Sequence, residues 1–223
     1  MKYSVGVQYA LLIIAATLIV FNQVSLATLH PGQMVTAAPA TDKTSFAYAA
    51  SGDPVQDAID AVLFTGSPAW SDGSISYDDI EGSLEILGNL DRTIPLESLP
   101  ADLKERYIAI GSKISCEYCC TAPSVIFPDG NPACGCSHSF ALRGIAKYLL
   151  TQYGDSYTDE EVLFEMTVWK NLFFPKNTVE KAAALIANRM DITPDALNDH
   201  TLLEKIQAGD LGSIGAPGMV GGC

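Results

Sequence analysis

The stretch from Cys116 to His138, CEYCCTAPSVIFPDGNPACGCSH, constrains this chain more than any other, because it holds five of the six cysteines and one of the three histidines. Its pattern is C-x2-C-C, then thirteen residues, then C-x-C-x-H. Cysteines two or three positions apart let one tight turn aim two sulfurs at a common point, as each half of a four-coordinate soft-metal site requires. The connector between these two knuckles carries Pro123, Pro128, Asp129, Gly130, Asn131 and Pro132. Pro-Asp-Gly-Asn-Pro reverses the chain and does not suit a helix or strand interior. The surrounding fold is therefore expected to bring the two knuckles face to face.

The candidate ligands are Cys116, Cys119, Cys120, Cys134, Cys136 and His138, with Cys223 at the end of a flexible arm. They exceed what one tetrahedral ion uses. Zinc in a closed structural site is the first expectation, since four thiolates, or three and an imidazole, suit it. Copper(I) is second, because a surplus of thiolates together with Met219 suits a soft ion. An iron–sulfur cluster is third. Two other chemistries fit the same residues: a disulfide framework in an exported chain, and thiol redox catalysis, although no βαβ pattern surrounds the C-x-x-C pair. Haem attachment is disfavoured, because Cys120 stands where c-type attachment needs histidine.

CEYCC followed by CGCSHS, a helix reading ALRGIAKYLL and a WKNLFFP end resembles a group of uncharacterised, membrane-anchored, cysteine-rich proteins of archaeal type, over about residues 97–175 plus the Gly-Gly-Cys terminus. The short Cys134–Ser139 piece is also similar to the bacterial lipoproteins named for a PCYCGC motif, though that order of residues is absent here. These resemblances imply an exported, thiol-rich module that handles a metal. They bring no activity with them.

With a net charge of −13 and only 13 lysines and arginines, none in a basic run, the chain is a poor partner for a phosphate backbone. Nucleic acid binding is excluded on that ground. Lys2 precedes a run to Leu26 that contains no charge, and Val5 to Phe21 is 17 residues, the short end of what crosses a hydrocarbon core of about 30 Å. Residues 1–27 are expected to form a single-span signal anchor, with a cleaved signal peptide as the alternative because Ser25-Leu26-Ala27 offers small residues. The amino terminus would stay in the cytoplasm and the acidic bulk would cross the membrane.

Residues 28–52, rich in Ala, Thr, Pro and Gly, read as a tether that includes His30. Residues 53–210 are expected to form a compact all-α domain. Asp53-Pro54 starts one helix, and Ile80, Leu84 and Leu87 mark a second over Tyr77–Leu90. A third runs over about Ala101–Ile110, and a fourth begins near His138, which puts Cys136 at a helix start where the dipole favours thiolate. Arg143 and Lys147 on that helix either balance the thiolates or face water. Thr158 to Glu161 is a capping box opening a helix that buries Met166 and Trp169, closed by Pro175. Helices over Val179–Met190, from Thr193-Pro194, and around Leu202, Leu203 and Ile206 complete the domain, with His200 near a cap. Residues 211–223 form a glycine-rich tail.

No G-x-S-x-G, H-E-x-x-H, Walker or dinucleotide-binding motif is present, so an enzyme is not indicated. The expected function is a membrane-anchored, extracytoplasmic metal-binding domain. The competing class is a disulfide-stiffened ectodomain that serves as an interaction subunit and meets a protein partner in a membrane assembly.

Overall fold

The computed structural model of the chain describes residues 45–119 and 122–208. The anchor and most of the tether with His30, Cys120, and the tail with Met219 and Cys223 lie outside the described residues. Among the described residues no helix is long and apolar enough to cross a membrane.

The fold is all-α, as the periodicities predict. Helix α1 (Pro54–Val62) starts where Asp53 accepts hydrogen bonds from the Val55 and Gln56 amides. Helix α2 (Ile80–Thr93) begins three residues later than the hydrophobic spacing predicts, at an Asp79 cap. The displaced residues have tertiary work instead: Tyr77 is buried, and Asp78 accepts from the Gly66 amide, beside Ser76, which donates to the Gly66 carbonyl. Helix α3 (Ala101–Gly111) follows Pro100. Helix α4 (Ser137–Tyr153) is capped by Cys136, and α5 (Asp159–Phe173) opens on the Thr158/Glu161 capping box. Helix α6 (Pro175–Ala187) starts four residues before the expected Val179, because Pro175 presets the first helical turn and Phe174 is shared as the end of α5 and the cap of α6. Two short helices, α7 (Pro194–Asn198) and α8 (His200–Gln207), follow.

Helix α4 is the centre of the arrangement, packed on α2 and also on α3 and α5, while α1 lies on α6. The α2/α4 approach is close because Gly144 has no side chain: a Cβ there would lie 2.0 Å from the Leu87 carbonyl oxygen. Helix α5 is buried on every face from Val162 to Phe173. Met166 and Trp169 are therefore core residues, as their spacing predicts. A helix buried all round must satisfy its polar side chains internally. Glu165 does so by accepting from Trp70 Nε1 at 3.1 Å and the Tyr77 hydroxyl at 3.3 Å. Lys170 does so in the cysteine loop.

Candidate metal centre

The first knuckle leaves α3 through buried Ile114 and Ser115 and turns sharply at Glu117, whose φ is +43°. The Tyr118 amide donates to the Cys116 carbonyl across this turn. A side chain in the left-handed region is disfavoured for L-residues, so something must hold it there. The Glu117 carboxylate sits between two ammonium groups, Lys170 of α5 at 2.8 Å and Lys181 of α6 at 2.7 Å. Its side chain is 8 % exposed, and those of the lysines 2 % and 0 %. Lys170 also donates to Asn198 Oδ1 at 2.9 Å, and Lys181 to the Leu197 and Asp199 carbonyls at 3.1 and 2.9 Å. The Tyr118 ring lies 5.7 and 5.8 Å from the two ammonium nitrogens. Ser115 Oγ accepts from the Glu117 amide and lies 3.1 Å from His200 Nε2. His200, expected only to stand near a cap, thus opens α8 and ties it to this knuckle.

Between the knuckles the chain reverses as the Pro-Asp-Gly-Asn-Pro composition predicts. Asp129 accepts from the Asn131 amide, Gly130 takes φ +86°, and Ile126 bridges to Pro132. The return limb is held by Arg143, which is wholly buried and donates from Nη1 to the Val125 carbonyl at 3.2 Å and the Cys134 carbonyl at 2.9 Å. The rest of its guanidinium binds Asp91 of α2 at 2.9 and 3.1 Å, and Lys147 binds the same carboxylate at 2.7 Å. Neither residue faces water. The limb then enters α4 at Cys136, whose sulfur accepts from the Ser139 amide at 3.4 Å.

The two knuckles meet. The sulfurs of Cys116, Cys119 and Cys136 all lie within 4.8 Å of one another, with Cys116 and Cys136 3.4 Å apart. Three sulfurs bound at about 2.3 Å to a tetrahedral zinc stand about 3.8 Å apart, so the observed spacing brackets that of a shared ion. A 3.4 Å separation is also far longer than the bond of about 2.05 Å in a disulfide. Cys116 is buried, Cys136 half-buried and Cys119 exposed. The Cys136 thiol is held well below the ordinary thiol range, first by its hydrogen bond with Cys116 and then by those with His138 and Ser139, against the opposing effect of burial.

The other predicted ligands stand differently. Cys134 is outside the three-sulfur group, and the loop uses its carbonyl rather than its thiol. His138 is also outside that group; its ring packs 4.9 Å from both Phe173 and Phe174, and its Nδ1 is buried with no hydrogen-bond partner. Cys120 and Cys223 lie outside the described residues.

Comparison with known protein families, with curated proteins and with solved structures finds no match to this chain. The supporting residues Glu117, Lys170, Lys181 and Asp91 escape the sequence reading, since charges are ordinarily assigned to solvated faces. One signal was available. Lys170 interrupts the apolar run from Val162 to Phe173, and Lys181 precedes AAALIA, so both stand where the flanking residues belong to a core.

Proposed function

We propose that this chain is a metal-binding helical domain in which the Cys116, Cys119 and Cys136 thiolates hold one soft or borderline cation, zinc first and copper(I) second. The convergence of three sulfurs from opposite ends of one loop carries this reading. Three thiolates leave one tetrahedral vertex open, and His138 is the donor we assign to it. Its ring adjoins Cys136, and its buried Nδ1 lacks a partner, a state that costs about 1–3 kcal/mol unless a ligand relieves it. A closed Cys3His zinc site has no position for water or substrate, so its role is to hold the loop and not to catalyse. Copper(I), by contrast, needs only the three sulfurs, and would make the domain a carrier or sensor. An iron–sulfur cluster fits less well, since Cys134 stands apart from the group. The uncharged N-terminal run supports placing the domain outside the membrane on a single span with its amino terminus inside.

The rival reading, a disulfide-bridged or redox-active ectodomain, draws on the 3.4 Å between Cys116 and Cys136, near enough for oxidation to join them. Anaerobic purification of the full chain with elemental analysis, followed by cobalt(II) titration, separates the two. The expected result is one metal per chain with sulfur-to-cobalt charge-transfer absorption, lost in Cys116→Ser and Cys136→Ser, weakened in His138→Ala and kept in Cys134→Ser. A metal-free chain whose thiols are found in bridges under the same handling rejects metal binding.

A further inference from the structure

We infer that Cys116 and Cys136 form a reversible disulfide that evicts the bound metal, so that the site holds its cation only while these two thiols are reduced; this rests on the metal-binding reading above.

The geometry singles out this pair. The two sulfurs are in contact at 3.4 Å, and closing to a disulfide of about 2.05 Å asks for a sulfur movement of about 1.4 Å, within reach of small side-chain rotations. The cysteines stand 20 positions apart, so the fold and not the local chain brings them together. Both are anchored by protein groups other than the ion. The first knuckle is held by Glu117 between Lys170 and Lys181, and Cys136 by the start of α4, where its sulfur accepts from the Ser139 amide. Arg143 fixes the backbone just ahead of Cys136 through the Cys134 carbonyl at 2.9 Å. The pair therefore stays opposed when the metal leaves. The loop-closure entropy that opposes a bridge between distant cysteines has already been spent in folding.

Burial sets the order of events. Cys136 is half-buried, whereas Cys116 is 1 % exposed. The oxidant is a small disulfide. The Cys136 thiolate attacks one of its sulfurs, which forms a mixed disulfide, breaks the S–S bond of the oxidant and expels one thiolate. Cys116 is shielded from the oxidant but touches the Cys136 sulfur; its thiolate attacks that sulfur, completes the bridge and expels the second thiolate. The two cysteines give up two electrons, the oxidant is reduced to two thiolates, and no proton is consumed. The thiolate is the metal ligand, and neither bridged sulfur is one any longer. Cys119 and His138 are left, two donors where a closed zinc site needs four, and the ion departs past the exposed Cys119. The bridge is thus a second state of the metal site, and each state opposes the other to the same degree.

The test uses the full chain, reduced and loaded with zinc without air, then exposed to oxidised glutathione beside a chromophoric zinc chelator. One zinc should be released for each bridge formed, at least about tenfold faster than with chelator alone, and peptide mapping should find Cys116 joined to Cys136. The oxidised chain should bind zinc at least about a hundredfold more weakly, since loss of one outer-shell partner already costs about tenfold to a hundredfold, and reduction should restore uptake. Excess free zinc should slow bridging. Cys119→Ser, freed of metal, should still form the same bridge, and Cys134→Ser should release zinc as the wild type does. A dominant bridge between any other two cysteines overturns the inference, as does loss of the bridge in Cys119→Ser, or zinc release that reduction does not reverse. A fully reduced wild-type chain that takes up no zinc defeats the metal-binding reading itself; one that binds zinc and keeps it in oxidised glutathione defeats this inference alone.

Discussion

The two ends of the cysteine loop are held by the same chemistry applied in opposite directions. At the first knuckle the loop reaches inward: Glu117 inserts its own carboxylate between Lys170 and Lys181. At the second knuckle the body of the protein reaches outward: Arg143, braced by Asp91, takes the backbone carbonyls of Val125 and Cys134. Each arrangement buries two cations with one carboxylate. The consequence for the sulfurs differs. Cys136 owes its place to local structure, as the cap of α4, whereas Cys116 and Cys119 owe theirs to contacts with α5, α6 and Asn198 far along the chain. Order at one end is inherited from a helix, and at the other it is imposed by tertiary ion pairs.

This contrast can be broken from either side. The largest effect is expected for Arg143→Met, which strips the return limb of its carbonyl donors and leaves Asp91 with Lys147 alone. Removing one partner of a buried charge group costs about 3–5 kcal/mol, to be read as a lowered midpoint in urea unfolding. Glu117→Gln at the other end should cost less, about 2–3 kcal/mol, because Lys170 keeps Asn198 and Lys181 keeps two backbone carbonyls.

Metal removal sharpens the same contrast. At free metal about a hundredfold above the dissociation constant, chelation should lower stability by about 2.7 kcal/mol in the wild type and by almost nothing in Cys136→Ser, as thermal unfolding with and without chelator would report. Gly144→Ala should push α4 from α2 through the Leu87 carbonyl, cost about 1–3 kcal/mol, and disturb Cys136 while leaving Glu117 in place. Alkylation kinetics, faster at Cys136 and unchanged at Cys116, would show that separation.

The smallest effect is in pH. The folded-state pKa of Glu117 is depressed against the opposing effect of burial, chiefly by Lys170 and then Lys181, so its contribution to stability is complete above the ordinary glutamate range and is lost as pH falls through the depressed value. In chelated protein, the gap between wild type and Glu117→Gln should therefore be full at neutral pH and close at strongly acidic pH. A gap that persists in acid would mean that Glu117 contributes shape and not charge.

Much of the helical frame was legible from residue order. Asp53-Pro54, the Thr158/Glu161 box and Pro175 each act within a few residues of themselves, so their helix starts and stops could be read directly. The start of α2 was misjudged because Tyr77 fits the apolar spacing yet is drawn into the core beside Glu165. The start of α6 was misjudged because Pro175 ends one helix and begins the next. In the site, the reversal between the knuckles and the position of Cys136 at a helix start were both readable. The burial of Lys170, Lys181 and Asp91 was not, because a charge in a sequence carries no mark of the partner that will enclose it.

Residue order alone determined that the domain is helical, that two sulfur-bearing turns flank a chain reversal, and that the molecule is acidic. All three are properties of near neighbours or of composition, governed by backbone sterics, capping and formal charge. Which sulfurs meet was decided only by the tertiary structure. Cys116, Cys119 and Cys136 converge while Cys134 stands aside: Cys136 is set by the start of α4, and the first knuckle is held against it where Glu117 finds counter-charges more than fifty positions away.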